Sequence, residues 1–346
     1  MKKRFTLGAL IGALALTGSA RAAVPQTVFT EADAANGELA NPFLDTVVTS
    51  GGTAYAVTRD LDSVGGVVTA FDGIGFTTVM TNAQWGTYGS AFDIAAGNGA
   101  GVAGNALRSV NFFDNNVYEI DLGTGAVTEV VTKAALDAAA GVSVNMVAAF
   151  EVDATGQIYA LDSVSDSILS ISPANTAAVE ISTGDLAALA GGTSIGGIGV
   201  LGDTILIGSN SNDSLVAWNT LTNTGSTVLT TAQIDAITLS AGDANDGSVG
   251  FGDIFAAPDG LVYFYESDGD DLLSYDPNDP AGTLAIVVSE AEFLAGPSDD
   301  TPGQLAWWDG KIAYTNGSDG FYVVPEPTSL ALLGLGGLLV ARRRRA

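Results

Sequence analysis

Residues 129–141 read EVVTKAALDAAAG: a short β-rich run ends in a threonine, and a small helical-looking run follows it. The same phrase occurs six times along the chain, for example as VEISTGDLAALAG at residues 179–191. Successive copies of its hydroxyl residue lie 51, 51, 50, 48 and 59 residues apart. The aligned residues are Thr30, Thr81, Thr132, Ser182, Thr230 and Ser289. Such regular spacing predicts an internal structural repeat of about 50 residues.

Two further phrases recur in phase with the first. In the third unit they are GQIYALD at residues 156–162 and ILSISPA at residues 168–174, and a less regular strand, AFEVDA at 149–154, precedes them. Each unit thus contains four short strands, in which Val, Ile, Tyr and Phe alternate with small or polar residues. Four-stranded units that repeat every 40–50 residues or so are typical of a β-propeller.

The two ends of the repeat region complement each other. The last unit has three strands at residues 304–324 and lacks a fourth, whereas a lone fourth-strand phrase starts at Thr27, ahead of the first unit. We therefore predict an all-β, six-bladed β-propeller of four-stranded blades, closed by the N-terminal strand. Closure removes the free sheet edges that promote aggregation. A two-sheet β-sandwich and an open β-solenoid are the alternatives that the pattern leaves open.

The N-terminal segment has the three parts of a secretory signal peptide. Lys2, Lys3 and Arg4 come first, and an apolar run over residues 7–16 follows. Small residues at Ala20 and Ala22 then predict cleavage before Ala23. The apolar run is shorter than the roughly 20 residues that a stable transmembrane anchor requires. We expect residues 1–22 to be removed on export.

The C-terminal segment also has three parts in a fixed order. VPEPTS at residues 324–329 contains Pro325, Glu326 and Pro327, and residues 330–341 are uncharged and largely apolar. Four arginines then follow: Arg342, Arg343, Arg344 and Arg345. This order resembles the PEP-CTERM sorting signal of Gram-negative bacteria.

The resemblance implies a route for the protein and leaves its activity open. It implies transient retention in the inner membrane by a hydrophobic sorting helix, recognition by an exosortase-type processing enzyme, and release or attachment at the outer surface. The arginines would stay on the cytoplasmic side, as basic residues that flank a span generally do. The expected organisation is a signal peptide at 1–22, a β-propeller domain at 23–323 and a sorting signal at 324–346.

Composition excludes several classes of function. The formal net charge is -27, and the segment between the two signals keeps only Arg59, Arg108, Lys133 and Lys311 as basic residues. Such an acidic protein repels nucleic acid, which we therefore exclude as a partner. The chain has no Cys and no His. Disulfides, Ser-His-Asp catalysis and zinc sites with imidazole or thiolate ligands are thus ruled out.

Polar, mostly acidic turns follow the second strand of every unit. The densest lies at residues 266–271, where Glu266, Asp268, Asp270 and Asp271 could hold Ca²⁺, since hard cations prefer several oxygen ligands. Ordinary turn chemistry is the favoured explanation, because Asp, Asn, Ser and Gly are common in β-turns. Trp307 and Trp308 could stack on a sugar ring, although paired aromatics in a strand usually divide between core and surface.

Three functional hypotheses follow. The leading one is a non-catalytic surface or extracellular-matrix protein that uses the propeller as a scaffold to bind a polysaccharide or a surface protein. The second is an enzyme, such as a metal-dependent lactonase or esterase of the six-bladed class, and fold by itself does not decide between the two. The third is that the acidic turns hold structural calcium and have no further role.

Overall fold

A computed structural model describes residues 24–61, 65–86, 100–146, 149–238, 249–297, 302–316 and 320–325. The predicted signal peptide, residues 326–346 of the sorting signal and residues 239–248 lie outside these ranges. The described chain forms six antiparallel sheets of four strands each. The all-β, six-bladed prediction is confirmed.

The first three blades follow one another along the chain. Blade 1 contains β2 (Pro42–Ser50), β3 (Thr53–Asp60), β4 (Gly66–Phe71) and β5 (Phe76–Met80). Blade 2 contains β6 (Ala100–Ala103), β7 (Ala106–Val110), β8 (Val117–Asp121) and β9 (Val127–Val131). Blade 3 contains β10 (Phe150–Val152), β11 (Ile158–Asp162), β12 (Ser167–Ile171) and β13 (Ala177–Ile181).

The last three blades complete the ring. Blade 4 contains β14 (Ile195–Leu201), β15 (Thr204–Ser209), β16 (Ser214–Asn219) and β17 (Thr224–Leu229). Blade 5 contains β18 (Phe251–Ala256), β19 (Val262–Glu266), β20 (Asp271–Tyr275) and β21 (Ala285–Val288). Blade 6 contains β22 (Leu305–Trp308), β23 (Lys311–Thr315), β24 (Gly320–Val323) and the N-terminal strand β1 (Gln26–Thr30).

Strand β1 closes the ring by pairing antiparallel with β24, with Gln26 opposite Val323 and Thr30 opposite Gly320. The first strands of neighbouring blades contact one another all the way around, from β2 to β22 and back to β2. A buried hydrophobic cluster lies between each pair of neighbouring blades. The predicted closure by the N-terminal strand is therefore confirmed.

Short helices lead from one blade to the next. They are α1 (Glu31–Ala34), α2 (Asn82–Trp85), α3 (Lys133–Ala140), α4 (Thr183–Ala190), α5 (Thr231–Thr238) and α7 (Glu290–Leu294), while α6 (Pro280–Thr283) lies within blade 5. The hydroxyl residues of the repeat are the N-caps of α1 to α4 and α7. Thr230 holds the same place before α5, where its Oγ1 donates to Gln233 Oε1 at 2.9 Å. No helix among the described residues is long and apolar enough to span a bilayer.

Because strands alternate in direction, the ring has two distinct faces. The interblade helices and the turns between second and third strands, such as residues 162–167 in blade 3, lie on one side, here called the helix face. The turns between first and second strands, such as residues 202–203 in blade 4, lie on the other side. We call that side the hairpin face. Strand β24 runs toward it, so the sorting signal leaves the ring there.

We expect the Thr132→Ala variant to lose about 1 kcal/mol of unfolding free energy, which is the usual cost of removing an N-cap. Thr132 Oγ1 accepts a hydrogen bond from the Ala135 N–H at 3.2 Å, and alanine leaves that donor without its partner. Denaturant titration measures the difference. Thr132→Ser is the matched control, since it keeps the hydroxyl, and an equal loss in both variants would contradict the capping role.

Candidate functional site

A polar residue stands at the end of the second strand of every blade, either as the last residue of the strand or directly after it. All are buried, and they are Asp60, Asn111, Asp162, Ser209, Glu266 and Asn316. Asp162 shows the common role: its carboxylate accepts hydrogen bonds from the N–H groups of Val164 at 3.1 Å and Ser165 at 3.0 Å. It also accepts one from the Asn145 N–H at 2.7 Å, in the segment that enters the same blade. Asp162 therefore ties its turn to its blade, and Ser209 and Glu266 accept hydrogen bonds from backbone N–H groups of their own turns in the same way.

The blade 5 turn contains the residues predicted to hold Ca²⁺. Glu266 is fully buried, and its carboxyl accepts hydrogen bonds from three backbone N–H groups, those of Gly250, Asp268 and Gly269, at 3.2, 2.9 and 2.7 Å. Asp271 accepts one from the Glu290 N–H at 3.0 Å, and Asp270 accepts one from the Tyr265 hydroxyl.

Glu266, Asp270 and Asp271 therefore accept hydrogen bonds from different donors of the protein, whereas Asp268 is exposed. In the part of the chain that the structure describes, no three acidic side chains gather into a group that could hold a metal ion. Calcium binding by Glu266, Asp268, Asp270 and Asp271 stays a prediction.

Glu266 gives folding stability a measurable pH dependence. Burial raises the pKa of its carboxyl from 4.5 to about 7, against the opposing effect of its backbone hydrogen bonds. Between these two values the native state holds more protons than the unfolded chain, so stability falls as the pH rises. We expect thermal melts from pH 4 to 8 to show a decline on the order of 2 kcal/mol from this group.

Glu266→Gln cannot titrate, and we expect its melting temperature to fall less over the same pH range. Asp203→Asn removes an exposed carboxylate of blade 4 and serves as the control that keeps the wild-type slope. If Glu266→Gln retained the full wild-type decline, another group would be responsible.

A cavity of about 280 Å³ lies at the centre of the ring. It is formed by the first strands and reaches the hairpin face at Gly51, Gly52 and Pro258. Val47, Gly101, Val152, Phe255 and Trp307 are among the small, apolar and aromatic residues that line it. Trp307 is thus a wall of the cavity, whereas Trp308 is buried against Phe71 and Phe321 in the core.

Glu151 and Gln304 place polar atoms among these apolar walls. Glu151 comes from β10 in blade 3, and Gln304 directly precedes β22 in blade 6. Burial raises the pKa of Glu151 well above its ordinary value, and the nearby charges of Asp253 and Asp153 raise it further. The Gln304 Oε1 atom is buried and has no hydrogen-bond partner among the described residues.

The sequence reasoning missed both residues. Glu151 interrupts the otherwise apolar start of the AFEVDA strand, which is a signal that could have singled it out. Gln304 gave no comparable signal, because one glutamine at the start of a strand is ordinary.

The helix face carries exposed apolar side chains on three consecutive blades. They are Leu61, Phe112, Phe113, Val142 and Val164, here called the apolar patch, and Leu294 at the end of α7 is a separate exposed apolar residue of the same face. Phe112 and Phe113 form an edge-to-face pair with ring centroids 5.6 Å apart. In blades 4 and 5 the equivalent turns, residues 210–213 and 267–270, contain no apolar side chain. The helix face is therefore chemically asymmetric although the fold is repetitive.

The sorting signal begins where the folded ring ends. Val324 is buried, and its N–H donates to the Ile312 carbonyl oxygen at 3.0 Å. Pro325 is the last described residue, and Glu326, Pro327 and the four arginines lie outside the described residues. The signal is thus joined directly to the ring with no linker.

Comparison with known proteins agrees with both parts of the molecule. Residues 323–345 match the family described as the PEP-CTERM protein-sorting motif. Curated protein sequences gave no match. The chain is therefore a six-bladed β-propeller that carries a PEP-CTERM motif. That motif indicates exosortase-dependent export and sorting to the cell surface or envelope.

Several solved structures share the fold. A protein of unknown function from Bacteroides thetaiotaomicron is 14% identical, with a TM-score of 0.54 over 87% of this chain and 76% of that one. A protein assigned as a gluconolactonase is 10% identical, with a TM-score of 0.54 over 88% and 93% of the two chains. YCF48, in a structure with a bound D1 peptide, is 11% identical, with a TM-score of 0.50 over 81% and 76%. At these identities the similarity shows the fold alone.

Proposed function

We propose that this protein acts at the outer surface or in the extracellular matrix as a non-catalytic binding scaffold. Pro325, Glu326 and Pro327 would be the motif that the exosortase-type enzyme recognises, and the apolar tail with its arginines would hold the precursor in the inner membrane. The partner would be an extracellular polysaccharide or a surface protein. The apolar patch on the helix face is the observation that carries this proposal.

The position of the tail supports the choice of this face. Only residues 325–329 separate the last buried residue, Val324, from the apolar segment. An extended chain of that length spans at most roughly 3.5 Å per residue. While the tail is in the membrane, the hairpin face therefore stays close to the bilayer and the helix face points away from it. Attachment at the outer surface through the same end would again leave the helix face directed outward, toward a partner.

The chemistry of the patch supports binding as well. Exposed apolar surface commonly marks an interaction site, and aromatic residues such as the Phe112–Phe113 pair often dominate such interfaces. Phe113 exposes 57% of its surface and has no counterpart in the polar turns of blades 4 and 5. The turns of blades 1, 2 and 3 would therefore contribute most of the binding energy.

No observation specifically favours the alternative function, a metal-dependent lactonase or esterase, because the structure assigned as a gluconolactonase shares only the fold with this chain. Structural calcium in the acidic turns would be compatible with the scaffold function.

The test measures how much labelled protein, residues 23–325, binds to cells of the source organism that lack this protein. We expect the Phe112→Ser/Phe113→Ser variant to bind about tenfold more weakly or worse, because central aromatic residues commonly contribute 2 kcal/mol or more. Ile74→Ser/Leu221→Ser is the matched control. It removes two side chains of the hairpin face that are more exposed, at 94% and 73%, and should bind as the wild type does.

Pretreatment of the cells identifies the class of partner. Protease sensitivity indicates a surface protein, and glycosidase or periodate sensitivity indicates a polysaccharide. Equal binding by the two double variants would exclude the apolar patch as the interface.

A further inference from the structure

Two hydrogen-bond acceptors in the central cavity lack donors. Gln304 Oε1 is buried without a partner, and within the described residues the Glu151 carboxyl makes neither a hydrogen bond nor an ion pair. A buried polar group without a hydrogen-bond partner is unfavourable, and this applies to Gln304 Oε1. Glu151 is only partly buried and lines the same cavity. A cavity that places these two acceptors among apolar walls is therefore suited to a ligand that donates hydrogen bonds.

The charge around the cavity narrows the class of ligand. Asp153 and Asp253 lie close enough to Glu151 to disfavour its ionised form, and no Lys or Arg is among the described lining residues. Arg108, the buried cation of blade 2, is directed toward the Gly156 carbonyl oxygen at 2.6 Å and toward Asn175. A positively charged ligand would supply the charge that the fold does not.

The residues that line the cavity narrow the class of ligand further. Phe255 and Trp307 are among the lining residues, and aromatic side chains attract cations. The volume of about 280 Å³ is near the lower end of small-molecule pockets, which hold roughly 300–1,000 Å³. The ligand is thus a small group with an apolar or sugar-like body.

We propose that the central cavity, which opens at the hairpin face, binds a primary ammonium group, carried by an amino sugar or an alkyl amine, through Glu151 and Gln304. The ammonium donates to the Glu151 carboxylate and to Gln304 Oε1, while Trp307 and Phe255 pack against the body of the ligand. This inference is independent of the proposed function, because the cavity opens on the face opposite to the apolar patch.

Binding of the ammonium group is coupled to the release of a proton from Glu151. The free protein favours a protonated Glu151 because burial and Asp153 and Asp253 raise its pKa. The complex needs the carboxylate, so the Glu151 proton passes to solvent as the ammonium enters. Affinity for the ammonium therefore rises with pH over the range in which the free protein still holds the Glu151 proton and the ligand amine is still protonated.

Isothermal titration calorimetry of the propeller with n-butylammonium, in two buffers of different ionisation enthalpy, tests the proposal. We expect binding with proton release and an affinity that increases from pH 5 to 8. The neutral n-butanol should bind at least about tenfold more weakly, because a hydrogen bond between charged groups contributes about 1.5–3 kcal/mol. Glucosamine and N-acetylglucosamine form the second pair, in which we expect only the amine to bind.

Glu151→Gln should weaken binding of the amines by about 10- to 100-fold and remove the proton release. Asp203→Asn makes the same carboxyl-to-amide replacement at an exposed turn of the hairpin face and should bind as the wild type does. A thermal melt confirms that Glu151→Gln is folded. Undiminished amine binding by folded Glu151→Gln, equal binding of amine and neutral analogue, or no binding of either amine would each overturn the proposal.

Discussion

A chain that starts at residue 31 should fail to form a closed ring. Without β1, the edge of β24 is unpaired, and the cluster between blades 6 and 1 loses Phe29, whose ring lies 5.1–5.3 Å from those of Phe71, Phe76 and Phe321. Domains have only about 5–15 kcal/mol of net stability. We therefore expect the truncated protein to lose its cooperative melt and to aggregate through the exposed edge.

Two further variants separate the loss of closure from the loss of chain length. A circular permutant starts at residue 31 and returns β1 to the chain after β24 through a tight turn, which is feasible because Gln26 and Val323 are paired. We expect it to melt cooperatively, as the mature protein does. Phe29→Ala should cost about 3–5 kcal/mol, whereas the exposed Thr27→Ala should cost little. A soluble, cooperatively folded truncation would show that closure by β1 is dispensable.

Gly197→Val should be the most damaging single substitution in the ring. The first strands of blades 4 and 5 pack backbone to backbone, and a Cβ at Gly197 would lie well inside contact distance of the Gly252 carbonyl oxygen. Gly196 and Gly199 face carbonyl oxygens of the same strand, so β14 and β18 would have to separate. Overpacking usually costs about 1–3 kcal/mol and more where the backbone must move. We expect a loss beyond 3 kcal/mol by denaturant titration, or insoluble protein.

Gly184→Ala is the control. It replaces a glycine in α4, the helix that leads from blade 3 to blade 4, where no strand packs closely against it. Gly184 lies within α4, and the nearest atom to a Cβ there is Ser182 Oγ at 3.9 Å. Alanine favours a helix over glycine by about 1 kcal/mol, so this variant should be more stable than the wild type. A tolerated Gly197→Val would indicate that the two strands can separate without loss of the fold.

The prediction of calcium at residues 266–271 shows where sequence reasoning is weakest. The pattern of Glu266, Asp268, Asp270 and Asp271 is equally compatible with ion ligation and with turn formation, because both use oxygen acceptors. The structure assigns Glu266, Asp270 and Asp271 to hydrogen-bond donors of the protein. Only the direction of each side chain distinguishes ion ligation from turn formation, and the sequence does not specify that direction.

The sequence by itself determined the repeat, the four strands of each unit, the closing strand and the sorting signal. These features depend on local patterns: the alternation along strands such as β11, a capping hydroxyl such as Thr132, and a motif read in order from Pro325. The tertiary structure alone decided that Glu151 and Gln304 share one cavity and that Gly197 lies against blade 5. These residues come from different blades, and their proximity depends on how the first strands converge around the ring, which no local pattern encodes.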